Sequence, residues 1–89
     1  MEPKYSAIIS RFTKSGIDVI FARPVAPETT QKMRELERFS GVAVHNQPGK
    51  KDGVFVIWTE IWDYDSVVEE VVSILISEGF DRDSILVKQ

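Results

Sequence analysis

The chain has 89 residues, no cysteine and a net charge of −3 at neutral pH. A chain of this length has room for one core, so we predict a single α+β domain over residues 1–89. The absence of cysteine excludes disulfides, thiolate metal sites and cysteine nucleophiles. Because there is neither a signal-peptide pattern nor an apolar run of membrane-spanning length, we expect a cytoplasmic protein that does not enter a membrane.

Charge is distributed unevenly between the two halves of the chain. Residues 1–51 contain nine Lys/Arg and five Asp/Glu, whereas residues 52–89 contain two and nine. This asymmetry indicates either an acidic interaction surface or two halves that neutralise each other on packing, and we favour the second interpretation. The basic residues form no single stripe interleaved with aromatic residues, so no nucleic-acid binding is predicted.

The first half predicts a hairpin followed by a helix. Residues 5–12 and 17–23 alternate as strands around a turn, in which Gly16 is free to take a positive φ. A helix is predicted over residues 28–39, with Met33, Leu36 and Phe39 as its apolar stripe and Gly41 just past its end. Residues 42–46 form a short strand, and residues 47–53 read as a hairpin loop rather than a phosphate-binding loop.

The next strand, predicted over residues 54–62, is apolar on both faces. Alternation points one set of side chains one way (Phe55, Ile57, Thr59 and Ile61) and a second set the other way (Val54, Val56, Trp58, Glu60 and Trp62). A two-layer domain needs only one of these faces for its core. We predict that the second set, which holds both tryptophans, is the uncovered face and forms an interface or ligand-binding surface.

A second helix follows with clear boundaries. Ser66 with Glu69 three residues later forms a capping box, and Asp63 and Asp65 are competing caps. A wide apolar face is formed by Val67, Val68, Val71, Val72, Leu75 and Ile76, whereas Ile74 lies off it, and Gly79 ends the helix. Residues 84–87 are the last strand.

The order ββαββαβ predicts a two-layer sandwich, an antiparallel sheet with two helices on one face. Without its first strand this order is the ferredoxin-like motif. We favour that arrangement, with the first strand added at an edge or exchanged with a neighbouring molecule. The alternative is a duplicated ββα arrangement, in which Gly16 corresponds to Gly53 at a spacing of about 37 residues.

No group of residues predicts a reaction. His45, the only histidine, has no nameable nucleophile or orienting carboxylate nearby in the sequence. The carboxylates of Glu60, Asp63 and Asp65 are better explained by helix capping and by solubility of the tryptophan face than by metal binding. We therefore predict no catalytic residue, metal ligand or cofactor.

Residues 56–66 contain a Glu-x-Trp pattern, at Glu60 and Trp62, that leads from a strand into a helix. This passage resembles small dimeric α/β-barrel proteins, a group that includes antibiotic-biosynthesis-type monooxygenases. The resemblance implies a dimer in which two sheets face each other. The chain lacks the histidine that such proteins often carry further along the helix.

These observations favour a small binding domain that self-associates, as a dimer or tetramer, through the Trp58/Trp62 face, although that face could instead meet a protein partner. One alternative is a small enzyme or ligand sensor with an apolar cavity between subunits, for which His45 and Tyr64 are the polar candidates together with Glu60. The other is an acidic inhibitor or adaptor that uses the second half of the chain.

Overall fold

Alternating apolar residues assemble five segments of this chain into one sheet. The computed structural model describes residues 5–22, 25–46, 53–59 and 62–88, which form a small α+β fold. The strands are β1 (Ala7–Thr13), β2 (Gly16–Phe21), β3 (Val42–Asn46), β4 (Gly53–Trp58) and β5 (Ile85–Lys88). The helices are α1 (Pro27–Arg34) and α2 (Tyr64–Ser77), and 3₁₀ turns follow α1 (Glu35–Arg38) and precede β5 (Arg82–Ser84). The predicted order of elements is confirmed.

The sheet has the strand order β3-β4-β2-β1-β5 and is mixed. The β3–β4, β4–β2 and β2–β1 pairs are antiparallel, whereas β1 and β5 are parallel. The prediction of a wholly antiparallel sheet is therefore wrong at this last pair. β4 and β1 are both antiparallel to β2, so they share a direction. The crossover through α2 returns the chain in that direction for β5.

The first strand lies inside the sheet, between β2 and β5. The predicted edge or exchanged position is therefore wrong. The turn at Lys14–Ser15 keeps β1 beside β2 in register, with Arg11 opposite Ile17. Because β1 and β4 occupy the two sides of β2, the last strand does not pair with β2 and extends the sheet beyond β1.

Both helices cover the same face of the sheet. The sheet contributes buried side chains at alternate positions, for example Ile9 and Val19, each 0% exposed. Met33, from α1, and a face of α2 close over them, and that face consists of Val67, Val68, Val71, Val72 and Leu75. The opposite side chains of the sheet are half-buried or exposed. None of the described helices is both long and apolar enough to cross a bilayer.

The strand predicted over residues 54–62 is shorter than expected and ends at Trp58. The backbone N–H of Thr59 still donates to the carbonyl of Gly41 (3.1 Å), after which the N–H of Trp62 donates to the carbonyl of Thr59 (3.0 Å). This second bond closes a turn. Trp62 therefore lies in the connection to α2, outside the alternation that defines the strand.

The helix α2 begins one turn earlier than the capping box predicts. Its N-cap is Asp63, whose carboxylate accepts a hydrogen bond from the backbone N–H of Ser66 at 2.7 Å. Ser66 is thus the third residue of the helix, and its predicted role as the cap is wrong. Asp63, which the sequence offered as a competing cap, satisfies one of the free N–H groups at the helix start.

Replacing Asp63 with alanine should lower the stability of the domain more at neutral pH than in strong acid. The hydrogen bonds from the backbone N–H and then the side chain of Ser66 hold the pKa of Asp63 below its usual 3.8. The carboxylate form therefore stabilises the folded state. This stabilisation is complete at pH values above the usual pKa and disappears as the pH falls through the lowered pKa of the folded state.

Urea denaturation of the wild type and Asp63→Ala at pH 7 and pH 2.5, followed by circular dichroism, measures this effect. Asp63→Asn is the matched control, because an amide oxygen still caps the helix but does not titrate. An Asp63→Ala deficit of equal size at both pH values would contradict the role assigned to the carboxylate.

Candidate functional site

The face of β4 that was predicted to be uncovered is the covered one. Val54, Val56 and Trp58 are 2%, 0% and 6% exposed and belong to the core beneath the helices. The indole of Trp58 lies 6.3 Å from the ring of Tyr64, at the start of α2. The prediction that these three side chains form an interface is therefore wrong, since the chain's own helices cover them. Glu60, assigned to the same face, lies outside the described residues.

Trp62 has a structural role between two connections. Its Nε1 donates to the carbonyl oxygen of Ser40 at 2.8 Å, and its ring meets Phe39 edge-on, with 5.1 Å between ring centroids. These contacts tie the start of α2 to the segment that precedes β3. Trp62 is partly buried against the core, so it is separate from any surface formed by the sheet.

The two polar pocket candidates do not converge. The hydroxyl of Tyr64 donates to the carbonyl oxygen of Lys88 at 3.1 Å, and the guanidinium of Arg11 lies 4.1 Å from the Tyr64 ring centroid. Tyr64 thus closes the helix side of the domain at β1 and β5. His45 is exposed at the far edge of the sheet, on β3, and its side chain points to the opposite face.

Among the described residues three large apolar side chains are exposed, and two of them, Phe12 and Ile57, lie on the side of the sheet away from the helices. We call this side the open face, and it consists of Ile8, Ser10, Phe12, Asp18, Ile20, Ala43, His45, Phe55, Ile57, Leu86 and Lys88. Phe12 is 56% and Ile57 39% exposed, whereas Val54, Val56 and Trp58, on the helix side of β4, are all below 10%. Exposed apolar side chains that are contiguous mark binding sites more often than scattered ones do.

The open face is organised in cross-strand rows. Strand register aligns His45, Phe55, Asp18, Ser10 and Lys88 in a single middle row across all five strands. The rows on either side are apolar. One contains Ile20, Ile8 and Leu86, and the other contains Ala43 and Ile57, with Phe12 nearby. The polar side chains of the face thus all lie in the middle row, which also contains Phe55, and the rows on either side are apolar.

Packing within the open face depends on Gly16. A Cβ atom at this position would lie 3.1 Å from Cγ2 of Ile57 and 3.6 Å from Cδ1 of Phe12. Gly16 has no positive φ, so the conformational role predicted for it is wrong. Its importance is that, without a side chain, it leaves room for the side chains of Ile57 and Phe12. Next to it, the rings of Phe12 and Phe55 pack with centroids 5.0 Å apart.

No family model, curated protein or solved structure matches this chain.

The edge of the sheet at β3 is protected. The carboxylate of Glu37 accepts a hydrogen bond from the backbone N–H of Val44 at 3.1 Å, and Arg34 Nη1 donates to the carbonyl oxygen of Val44 at 3.4 Å. These side chains occupy backbone groups that would otherwise pair with another strand. Pairing of a further strand at Val44 is therefore blocked on this edge.

The other described surfaces show fewer features of a binding site. A hollow of about 440 Å³ between α1 and the end of α2 is lined by Pro27, Glu28, Gln31, Lys32, Glu35 and Glu78. Its lysine already lies 3.8 Å from the carboxylate of Glu35. Among the described residues, no three histidine or acidic side chains are grouped to hold a metal ion.

Proposed function

We propose that this chain is a small protein-binding domain that self-associates by placing its open face against that of a second copy. The observation that carries the proposal is the exposure of Phe12 and Ile57 on one contiguous sheet face. A monomer would leave these side chains in water. Burial of apolar area against a partner is favourable by about 25 cal/mol per Å².

The size of the open face is suitable for a dimer. Five strands about 4.8 Å apart and roughly 20 Å long give a flat area of about 480 Å². Because the large side chains stand above this plane, their accessible area exceeds the flat area. It is therefore closer to the ~800 Å² per partner that stable interfaces bury. Two such faces stack about 10 Å apart with their side chains interdigitated, as in a β-sandwich.

We also propose that the fold is ferredoxin-like, with β1 as an additional strand inserted between β2 and β5. Without β1, the strand order is β3-β4-β2-β5, and both helices lie on one face. The resemblance of residues 56–66 to dimeric α/β-barrel proteins supports the same assembly, because in that group two sheets face each other across a dimer.

A ligand sensor at the same interface is the second candidate function. The middle row of the open face places Asp18 and Ser10 between two apolar rows, which is the composition of a small-molecule site. Of the earlier pocket candidates that the structure describes, only His45 lies on this face.

Substituting Ile57 with glutamate should abolish self-association and preserve the fold. A charge introduced there has no partner in the interface, and we expect the dissociation constant to rise by about 100-fold or more. Ile76→Glu is a matched control, since Ile76 is a similarly exposed isoleucine (43%) on α2, away from the open face. Light scattering after size-exclusion chromatography, over a micromolar concentration series, measures the mass of each variant.

The proposal requires a wild-type dimer that Ile57→Glu converts to a monomer and Ile76→Glu leaves intact. Circular dichroism verifies that each variant is folded. If Ile57→Glu unfolds, Phe12→Glu makes the same test at a more exposed position. A wild-type chain that stays monomeric throughout, or a dimer that resists both open-face substitutions, would overturn the proposal.

A further inference from the structure

The two edges of the sheet differ in their free backbone groups. On β3, the outward N–H of Val42 donates to the carbonyl oxygen of Phe39 at 3.2 Å, and both outward groups of Val44 are bonded to side chains. β5 forms the other edge and pairs with β1 alone among the described strands. The backbone groups of β5 therefore decide whether the sheet can accept a further strand.

The outward backbone groups of β5 follow from the register of its neighbour. The N–H of Ala22 donates to the carbonyl oxygen of Ser6 at 3.0 Å, so Ser6 bonds toward β2 and, by alternation, Ile9 bonds toward β5. Ile9 lies opposite Val87 in a parallel pair, in which a residue bonds to the two neighbours of its partner. The N–H and C=O of Val87 and the C=O of Ile85 therefore point outward. Among the described residues none bonds to these three groups, which form a template for an added strand.

The flank of α2 on this side of the domain is acidic. Thr29 of α1 donates to the carboxylate of Glu78 at 3.4 Å, which identifies the flank of α2 that faces α1. α1 packs on β3, at the far edge of the sheet. With 3.6 residues per turn, Asp65 and Glu69 lie on the opposite flank, toward β5, and both are exposed. Two carboxylates therefore stand on the same side of the domain as the free backbone groups.

We propose that the β5 edge binds an extended, basic segment of another protein, which adds to the sheet as a sixth strand. Main-chain hydrogen bonds to Ile85 and Val87 hold such a segment, and its alternate side chains provide specificity. Arginine or lysine on the helix side of the added strand lies toward Asp65 and Glu69, and opposite charges favour this partner. Residues 52–89 contain nine Asp/Glu and two Lys/Arg, and this excess attracts a basic segment from a distance.

A second copy of the chain is a poorer occupant of this edge. Two β5 strands related by a twofold axis pair antiparallel, so the two acidic flanks of α2 face each other and repel. The β3 edge of a second copy is excluded, because its outward groups at Val42 and Val44 are already bonded. The proposal is independent of the self-association proposed above, which uses the open face.

A synthetic peptide tests whether the added segment bonds as a strand. In the probe every second residue is threonine, the others are alternately arginine and valine, and one end carries a fluorescent label. One variant is N-methylated at every threonine and another at every arginine and valine. Because only alternate residues of an added strand bond to the edge, one variant should bind at least about tenfold more weakly than the other. Fluorescence anisotropy measures both affinities.

Hydrogen exchange, followed by NMR on the isotope-labelled chain, locates the bound peptide. In the free protein the amide of Val87 should exchange faster than that of Leu86, which points toward β1. The unmethylated probe at saturation should slow exchange at Val87 by about tenfold or more. The amide of Val44, which is bonded to Glu37, should exchange as before.

Charge reversal tests the acidic flank. Glu69→Lys should weaken binding of the probe by about tenfold. Glu28→Lys is the matched control, because it makes the same charge change at an exposed position on α1, and it should change the affinity little. Ile57→Glu, which removes the proposed dimer, should bind the probe as the wild type does. Circular dichroism verifies that each variant is folded.

The outcomes separate this proposal from the proposed function. Unequal binding of the two N-methylated peptides, together with slower exchange at Val87, supports strand addition at β5. Equal binding of both peptides, no binding of the probe at millimolar concentration, or unchanged exchange at Val87 overturns it. Exchange at Val87 that slows as the protein concentration rises, without the probe, assigns the edge to a second copy and also overturns it. A wild type that stays monomeric overturns the proposed function and leaves the peptide results unaffected.

Discussion

Trp58→Ala is expected to destabilise the domain by about 3–5 kcal/mol, the usual cost of deleting a buried aromatic side chain and leaving a cavity. Trp58 is 6% exposed within the core and packs near Tyr64, at the start of the helix that covers it. Such a loss is a large share of the roughly 5–15 kcal/mol that holds most domains folded. Urea denaturation followed by far-ultraviolet circular dichroism measures it without relying on tryptophan emission.

Ile57→Ala is the natural comparison, because it truncates the adjacent residue on the opposite face of the same strand. Ile57 is 39% exposed, so its truncation removes less buried area and should cost less than half as much as Trp58→Ala. If Trp58→Ala remained as stable as wild type and lost only its capacity to self-associate, the two faces of β4 would be assigned the wrong way round.

The sequence predicted the strand β4 but could not determine which of its faces is covered. Alternation placed Trp58 opposite Phe55 and Ile57, and both faces are apolar. Which face of β4 is covered depends on the side of the sheet to which the chain passes after Trp58. The long-range packing of α2 determines that side. Trp62 was placed on the same face as Trp58 because nothing local in residues 58–62 indicates the turn closed by its bond to Thr59.

Local features were predicted more accurately than strand neighbours. The tight hairpin before Gly16 and the end of α2 at Gly79 both depend on a few adjacent residues, and both are confirmed. The position of β5 beside β1 depends on a crossover that spans two strands, which no local pattern specifies. The 37-residue spacing of the alternative, duplicated ββα arrangement has a counterpart in the sheet, where Asp18 pairs with Phe55, the residue 37 positions later.

The candidate site was missed for the same reason. Phe55 and Ile57 were visible in the sequence as the second face of β4. Ser10, Asp18 and Lys88 belong to three other strands, and only their register brings them into one row with Phe55. The one signal available in advance was that β1 and β2 also alternate with apolar residues on both faces at Ile8 and Ile20.

Gly41→Ala should cost about 2–5 kcal/mol, for two separable reasons. Gly41 has a φ of 82°, a conformation that costs a residue with a side chain roughly 1–2 kcal/mol. In addition, a Cβ atom there would lie 2.5 Å from Oγ1 of Thr59, and overpacking of this kind costs about 1–3 kcal/mol. Gly79→Ala isolates the first term, because Gly79 has a φ of 101° with nothing within 4 Å of the added atom.

A double-mutant cycle separates these terms within a single site. Thr59 is exposed, so Thr59→Ala alone should change stability by less than about 0.5 kcal/mol. In that background the added Cβ atom no longer meets Oγ1 or Cγ2 of residue 59, and the cost of Gly41→Ala should fall to that of Gly79→Ala. A cost that stays the same in both backgrounds would mean that backbone conformation alone accounts for the glycine, and that the close approach of residue 59 to the start of β3 adds no constraint.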